Sequence, residues 1–142
     1  MITGKPFLTV EQIQYKVKKL AEKISEDYEG KDLVSIGILK GAFMFFSDIV
    51  KLIQVPMEID FLIASSYIKD KTSGEVSIHA DLRVDIKNKH VLLIEDIIDT
   101  GLTLKYIREI LLKRKPASLK ICAFLNKKSR RIAEVPLDYV GF

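Results

Sequence analysis

Residues 91–103 read Val-Leu-Leu-Ile-Glu-Asp-Ile-Ile-Asp-Thr-Gly-Leu-Thr: an apolar strand that meets two adjacent carboxylates, then a short Asp-Thr-Gly turn opening a helix. A strand apolar at every position must be covered on both faces, so the segment belongs to a parallel sheet between helix layers. The turn carries the chemistry. Backbone N–H groups at a turn and helix start cradle a phosphate, and the hydroxyls of Thr100 and Thr103 add donors. Glu95 and Asp96 would repel that phosphate, so they face sugar hydroxyls or a hard divalent cation such as magnesium. A phosphorylated sugar satisfies both demands.

The rest of the chain supplies the sheet that such a strand needs. Thr9-Val10-Glu11-Gln12 has the spacing of a capping box, and Ile13, Val17, Leu20, Ala21 and Ile24 recur at helical intervals, predicting a helix to about Tyr28 closed by Gly30. Strands are expected over 33–39, 57–66, 75–83, 90–94 and 118–125. Helices are expected over 42–53, stopped before Pro56, and over 102–115, stopped by Pro116. The polar stretch 67–74 reads as a mobile loop. Alternation of β and α with continuous apolar strands gives a doubly wound, mainly parallel α/β sheet with helices on both faces, one domain over residues 1–142. In such sheets ligands bind beyond the carboxyl ends of the strands. The loops 39–41, 95–103 and 126–131 each follow one of those ends, so three chemically loaded loops converge on one rim.

Composition narrows the partners. With 142 residues, 48% hydrophobic and 30% charged, the chain can bury roughly two-thirds of its unfolded surface. Lys40, Asp48, Lys51, Glu58 and Asp60 interrupt the apolar stretches that would otherwise approach membrane length. The first nine residues lack a secretory pattern, and the expected location is cytoplasmic. Cys122 is the single cysteine, in an apolar run, and reads as a buried inert thiol. His79 and His90 fit no close metal-ligand spacing. The net charge of +4, with basic clusters at 113–115 and 127–131, permits nucleic-acid binding without requiring it. Few aromatics accompany those clusters, so nucleic acid is not the expected partner.

The 91–103 run resembles, almost residue for residue, the phosphoribosyl-pyrophosphate signature of type I phosphoribosyltransferases, and its wording looks like the hypoxanthine-guanine branch. Three further elements resemble the same family in the same order: residues 37–43, Ser65-Ser66-Tyr67 followed by Thr72-Ser73-Gly74, and Leu125-Asn126-Lys127 before Arg130-Arg131. The resemblance implies phosphoribosyl pyrophosphate and an oxo purine as substrates, magnesium as cofactor, and a homodimer or homotetramer. It implies that Glu95 and Asp96 hold the ribose hydroxyls directly or through magnesium, and that Thr100, Gly101, Leu102 and Thr103 bind the 5′-phosphate. Asp99 matches the family's acid/base aspartate. Leu39, Lys40 and Gly41 match the pyrophosphate loop, with a cis peptide before the lysine. Ser66 and Tyr67 match a lid, and Lys127 matches the lysine that donates to the purine 6-oxo group.

Each residue also has a plainer reading. Glu95 and Asp96 fit a structural strand-end pair, Asp99 a helix N-cap alone or beside its chemical role, and residues 100–103 a simple helix cap. Lys40 and Lys127 fit solvated lysines, and Ser66-Tyr67 a polar hairpin tip. Ile68 stands where the family usually has glycine, and Lys128 where bacterial relatives often carry proline. By resemblance, family members continue past the position of Phe142 into a segment bearing a base-stacking aromatic, an aspartate and an arginine. The expectation is therefore retained sugar-phosphate binding with reduced or absent turnover. Two other classes stand beside this reading: an RNA-binding regulatory protein on the same fold, and a noncatalytic phosphoribosyl-pyrophosphate-binding core.

Overall fold

The computed structural model describes residues 8–68 and 74–142. Thr9 caps helix α1 (Val10–Asp27) with a complete capping box: its side chain accepts from Gln12 N–H at 3.1 Å, and Gln12 Oε1 accepts from Thr9 N–H at 2.8 Å. Strand β1 (Leu33–Leu39), helix α2 (Phe43–Val50) and strand β2 (Met57–Ile68) follow, then β3 (Gly74–Ala80), β4 (His90–Ile98), helix α3 (Leu102–Leu112), β5 (Ser118–Asn126) and the two-residue β6 (Tyr139–Val140). The six strands form one sheet in the order β3-β2-β1-β4-β5-β6. Every neighbouring pair is parallel except the β2–β3 hairpin. The expected doubly wound sheet is present.

The alternation of side chains along a strand explains why β4 is apolar at every position from Val91 to Ile94. Leu92 and Ile94 pack with Ile24, Ile49 and Cys122 beneath α1 and α2. Val91 and Leu93 point the other way and pack with Ile36, Ile107, Leu111 and Ile121 beneath α3. Both layers are fully buried at these positions. Gly37 sets the spacing between β1 and α2, where the Phe46 and Phe61 rings lie 4.9 Å apart between centroids. A Cβ at Gly37 would stand 2.8 Å from Phe46 Cδ2.

Several boundaries differ from the sequence reading. Strand β4 runs past Ile94 to Ile98, because its backbone ladder to β5 continues through Glu95↔Ala123, Ile97↔Leu125 and Ile98↔Asn126. Pairing through main-chain groups does not require apolar side chains, so the carboxylates sit within the strand. The loop expected over 67–74 is narrower. Tyr67 pairs with Glu75 and Ile68 with Gly74, while residues 69–73 lie outside the described residues. Strand β3 stops at Ala80 instead of 83. Beyond it, Asp60 accepts from the N–H groups of Arg83 and Val84 at 2.7 and 2.9 Å, which draws the chain out of the ladder. Regular helix ends at Val50 in α2 and Leu112 in α3. Strand β6 was not legible at two residues long. It is held by Tyr139 Oη donating to Asp27 Oδ2 at 2.7 Å.

Replacing Gly37 with alanine should overpack the Phe46 contact and lower stability by about 1–3 kcal/mol. Equilibrium urea unfolding should show a lower midpoint with an unchanged slope.

Candidate active site

At the carboxyl ends of β1, β2 and β4 a cleft of about 630 Å³ opens, walled by residues 38–41, 64–65, 95 and 97–104. Strand β4 delivers Asp99 and Thr100 to its floor, and the chain turns there into α3. Gly101 stands at the N-cap of α3 with φ +83°, a left-handed conformation open to glycine without penalty. A Cβ at this position would overlap the carbonyl oxygen of Ala133. The chain returning from β5 presses on the turn from behind: the N–H groups of Ile132 and Ala133 both donate to Thr100 O, at 2.8 and 2.9 Å. Leu102 N–H donates to Thr100 Oγ1 at 3.3 Å. No acceptor among the described residues meets the N–H groups of Gly101 and Thr103. These donors sit at the positive end of α3 and face a cleft, the arrangement that binds a phosphate.

Asp99 is not the helix N-cap, since Gly101 holds that place. Its Oδ1 is buried without an aligned hydrogen-bond partner, although Arg130 Nε makes an ion-pair contact at 3.2 Å. On the opposite wall the Leu39–Lys40 peptide is cis, as the family resemblance implies, and Lys40 and Gly41 are exposed to the cleft.

Glu95 lines the cleft and Asp96 does not, because neighbouring residues of a strand point to opposite faces. Burial pushes the Glu95 carboxyl up to about 7, against the hydrogen bond it accepts from Asp96 N–H at 2.8 Å and with the help of the Asp96 charge. Burial also raises the Asp96 carboxyl. Glu95 is a hard oxygen donor that faces the cleft without a cationic partner among the described residues, which fits a divalent cation there. No cluster of three or more His, Cys, Asp or Glu gathers among the described residues, so such a cation would draw its other ligands from substrate and water.

Of the remaining residues read from the sequence, Thr100, Gly101, Leu102, Thr103 and Leu39 line the cleft together with Lys40, Gly41 and Asp99. Lys127 does not. It is exposed at the end of β5, with its N–H donating to Ile98 O at 2.9 Å. Ser66 and Tyr67 lie in the β2 ladder opposite Val76 and Glu75, and their side chains fall outside the described residues. Two features carried no role in the sequence reading. Ser65, first residue of the Ser65-Ser66-Tyr67 element, lines the cleft, its Oγ 2.7 Å from His79 Nε2. Arg131, read as part of a basic pair, is buried behind the turn, and nothing in the sequence distinguishes it from the exposed Arg130.

The model of the phosphoribosyl transferase domain matches residues 7–142. The chain belongs to this family. A hypoxanthine phosphoribosyltransferase of Haemophilus influenzae is 48% identical over 134 residues, covering 92% of the chain and 75% of that protein. A hypoxanthine-guanine phosphoribosyltransferase of Staphylococcus aureus is 49% identical over 135 residues, covering 94% of the chain and 75% of that protein. The crystal structure of a hypoxanthine-guanine phosphoribosyltransferase from Bacillus anthracis, with HEPES in its active site, superposes with a TM-score of 0.90 at 40% identity, covering 98% of this chain and 80% of that one. The phosphoribosyl transferase fold thus accounts for the six-stranded sheet and for the cleft at its carboxyl rim.

The raised Glu95 carboxyl makes the ligand-free fold sensitive to pH. Between about 4.5 and about 7 the folded chain keeps a proton that the unfolded chain releases, so stability falls as pH rises through that window. Glu95→Gln should leave the melting temperature near pH 5 almost unchanged. At pH 8 it should raise it by several degrees, on the order of 2–3 kcal/mol. Differential scanning calorimetry without ligand at the two pH values is the measurement.

Proposed function

We propose that this chain transfers the phosphoribosyl group of phosphoribosyl pyrophosphate to hypoxanthine or guanine, forming IMP or GMP and pyrophosphate in purine salvage. One cleft bringing the 39–41 loop opposite the 99–103 turn carries this reading, because the donor substrate has a phosphate at each end of its ribose. The amides of residues 100–103 and the hydroxyls of Thr100 and Thr103 hold the 5′-phosphate. Leu39, Lys40 and Gly41 receive the pyrophosphate, over which the Ser66-Tyr67 segment closes to exclude water. Glu95, which lines the cleft, takes the ribose hydroxyls and the cation, while Asp96, on the other face of β4, does not reach them in this arrangement. Magnesium, when bound, supplies positive charge against the oxygens of the departing pyrophosphate.

The bond from a purine ring nitrogen to the ribose anomeric carbon forms as the bond from that carbon to pyrophosphate breaks. The Asp99 carboxylate accepts the proton that the ring nitrogen gives up. Lys127 donates to the 6-oxo oxygen, which selects oxo over amino purines because only an acceptor completes the bond. A homodimer or homotetramer belongs to the same reading, with Phe43 and Met44 of α2, 59% and 66% exposed, as apolar contact surface. So does a cytoplasmic location. Among the described residues no helix is long and apolar enough to cross a membrane.

The relatives reported above carry enzyme names, which supports transfer over an RNA-binding role or a noncatalytic core. Titration calorimetry with phosphoribosyl pyrophosphate and magnesium, followed by a coupled pyrophosphate-release assay with hypoxanthine and guanine, tests the reading. Binding without any release would reduce the chain to a binding core, and absence of both would end the proposal. In the active chain, Asp99→Asn should lower kcat by about 10²- to 10⁴-fold while the sugar phosphate still binds.

A further inference from the structure

Arg131 is a charged side chain only 8% exposed, in a segment otherwise rich in solvated lysine and arginine. Burying a guanidinium is costly unless each of its donors finds a partner. Its Nε donates to the carbonyl oxygen of Asp99 at 3.2 Å, and one terminal nitrogen donates to Asn126 Oδ1. Glu134, its only carboxylate contact among the described residues at 3.9 Å, is 88% exposed and contributes little. The charge is therefore spent on neutral acceptors at the ends of two strands, the β4 exit and the last residue of β5.

The identity of those acceptors gives the arrangement a direction. Arg131 fixes the carbonyl of Asp99, and the next two residues, through their N–H groups, fix the carbonyl of Thr100. In a trans peptide plane the C=O of one residue and the N–H of the next point in opposite directions. A carbonyl pulled back toward Arg131 therefore aims the Thr100 N–H forward, and the Thr100 carbonyl pulled toward 132–133 aims the Gly101 N–H forward. Both residues line the cleft. Only arginine spans these acceptors, since its donors are separated in a rigid plane, whereas lysine offers a single point.

We propose that Arg131 is a positioning residue that orients the Thr100 and Gly101 amides toward the 5′-phosphate, acting through the Asp99 carbonyl without touching substrate. This rests on the phosphate-binding reading of residues 100–103, and the test separates the two. Ribose 5-phosphate is the probe, titrated into the unmodified chain, Arg131→Gln, Arg131→Lys and Asn126→Ala, with Glu134→Ala as the exposed control. Removing one charge-assisted hydrogen bond predicts that Arg131→Gln weakens ribose 5-phosphate by about tenfold or more. Arg131→Lys and Asn126→Ala should fall between it and the unmodified chain, and Glu134→Ala should match the unmodified chain.

In steady-state assays the KM for phosphoribosyl pyrophosphate should rise with that Kd, while the KM for hypoxanthine at saturating donor stays put. A general loss of packing would move both. Amide resonances of Thr100 and Gly101 should shift on ribose 5-phosphate addition in the unmodified chain and shift less in the variants. If Arg131→Gln does not fold, Arg131→Lys and Asn126→Ala carry the same comparison. Equal ribose 5-phosphate affinity in the unmodified and variant chains would overturn the role of Arg131 alone. Failure of the unmodified chain to bind the probe would instead overturn the phosphate site on which it rests.

Discussion

The contact on which the cleft depends is a single carbonyl oxygen, that of Thr100, accepting two successive amide protons from Ile132 and Ala133. It fastens the exit of the central strand to a segment more than thirty residues later, and it can form only because Gly101 has no side chain to hold the two backbones apart. The polar groups on the cleft floor take their position from this junction: the start of α3 and the Asp99 carboxylate. The sheet beneath it is a conventional apolar parallel core. Its carboxyl end becomes a site because a later loop is pinned onto it.

Charge is distributed to match. The two buried or half-buried acids of β4 sit where apolar cover stops, and both are driven toward their protonated forms in the empty fold. Away from the cleft, two carboxylates that join distant elements have partners. Asp81 and Arg114 pair through two bonds of 2.9 and 2.7 Å, tying the end of the β2–β3 hairpin to α3. Asp27 accepts from Tyr139 and lies 3.4 Å from Lys23. Asp27 and Asp81 are thus hydrogen-bonded to side chains of other elements and lowered in pKa, whereas burial raises Glu95 and Asp96.

Much of this was legible in the chain because the relevant signals are local. Apolar runs at 33–39, 91–94 and 118–125 announce buried parallel strands, and the Thr9–Gln12 box marks a helix start that the structure bears out. Asp-Thr-Gly after an apolar strand marks a phosphate turn. What failed to show is long-range. The strand continuing through Glu95 and Asp96 depends on a β5 partner, and the opposite facing of those two acids follows only once they are known to lie in a strand. Asp99 looked like a helix cap because the left-handed turn at Gly101, imposed by Ala133, cannot be seen from neighbours in sequence. Arg130 and Arg131 are indistinguishable by composition, yet one is exposed and the other buried, because a single 3-10 turn over Lys128–Arg130 separates their directions.

Cys122 occupies the middle of β5 with no accessible surface, and burial lifts its thiol to about 12. As the only sulfhydryl in the chain, it leaves the exterior chemically silent toward maleimides and other thiol reagents. A cysteine introduced anywhere on the surface would therefore be the sole reactive handle for a fluorophore or spin label. The native thiol in turn becomes a clock, since it can be alkylated only when the centre of the sheet has come apart.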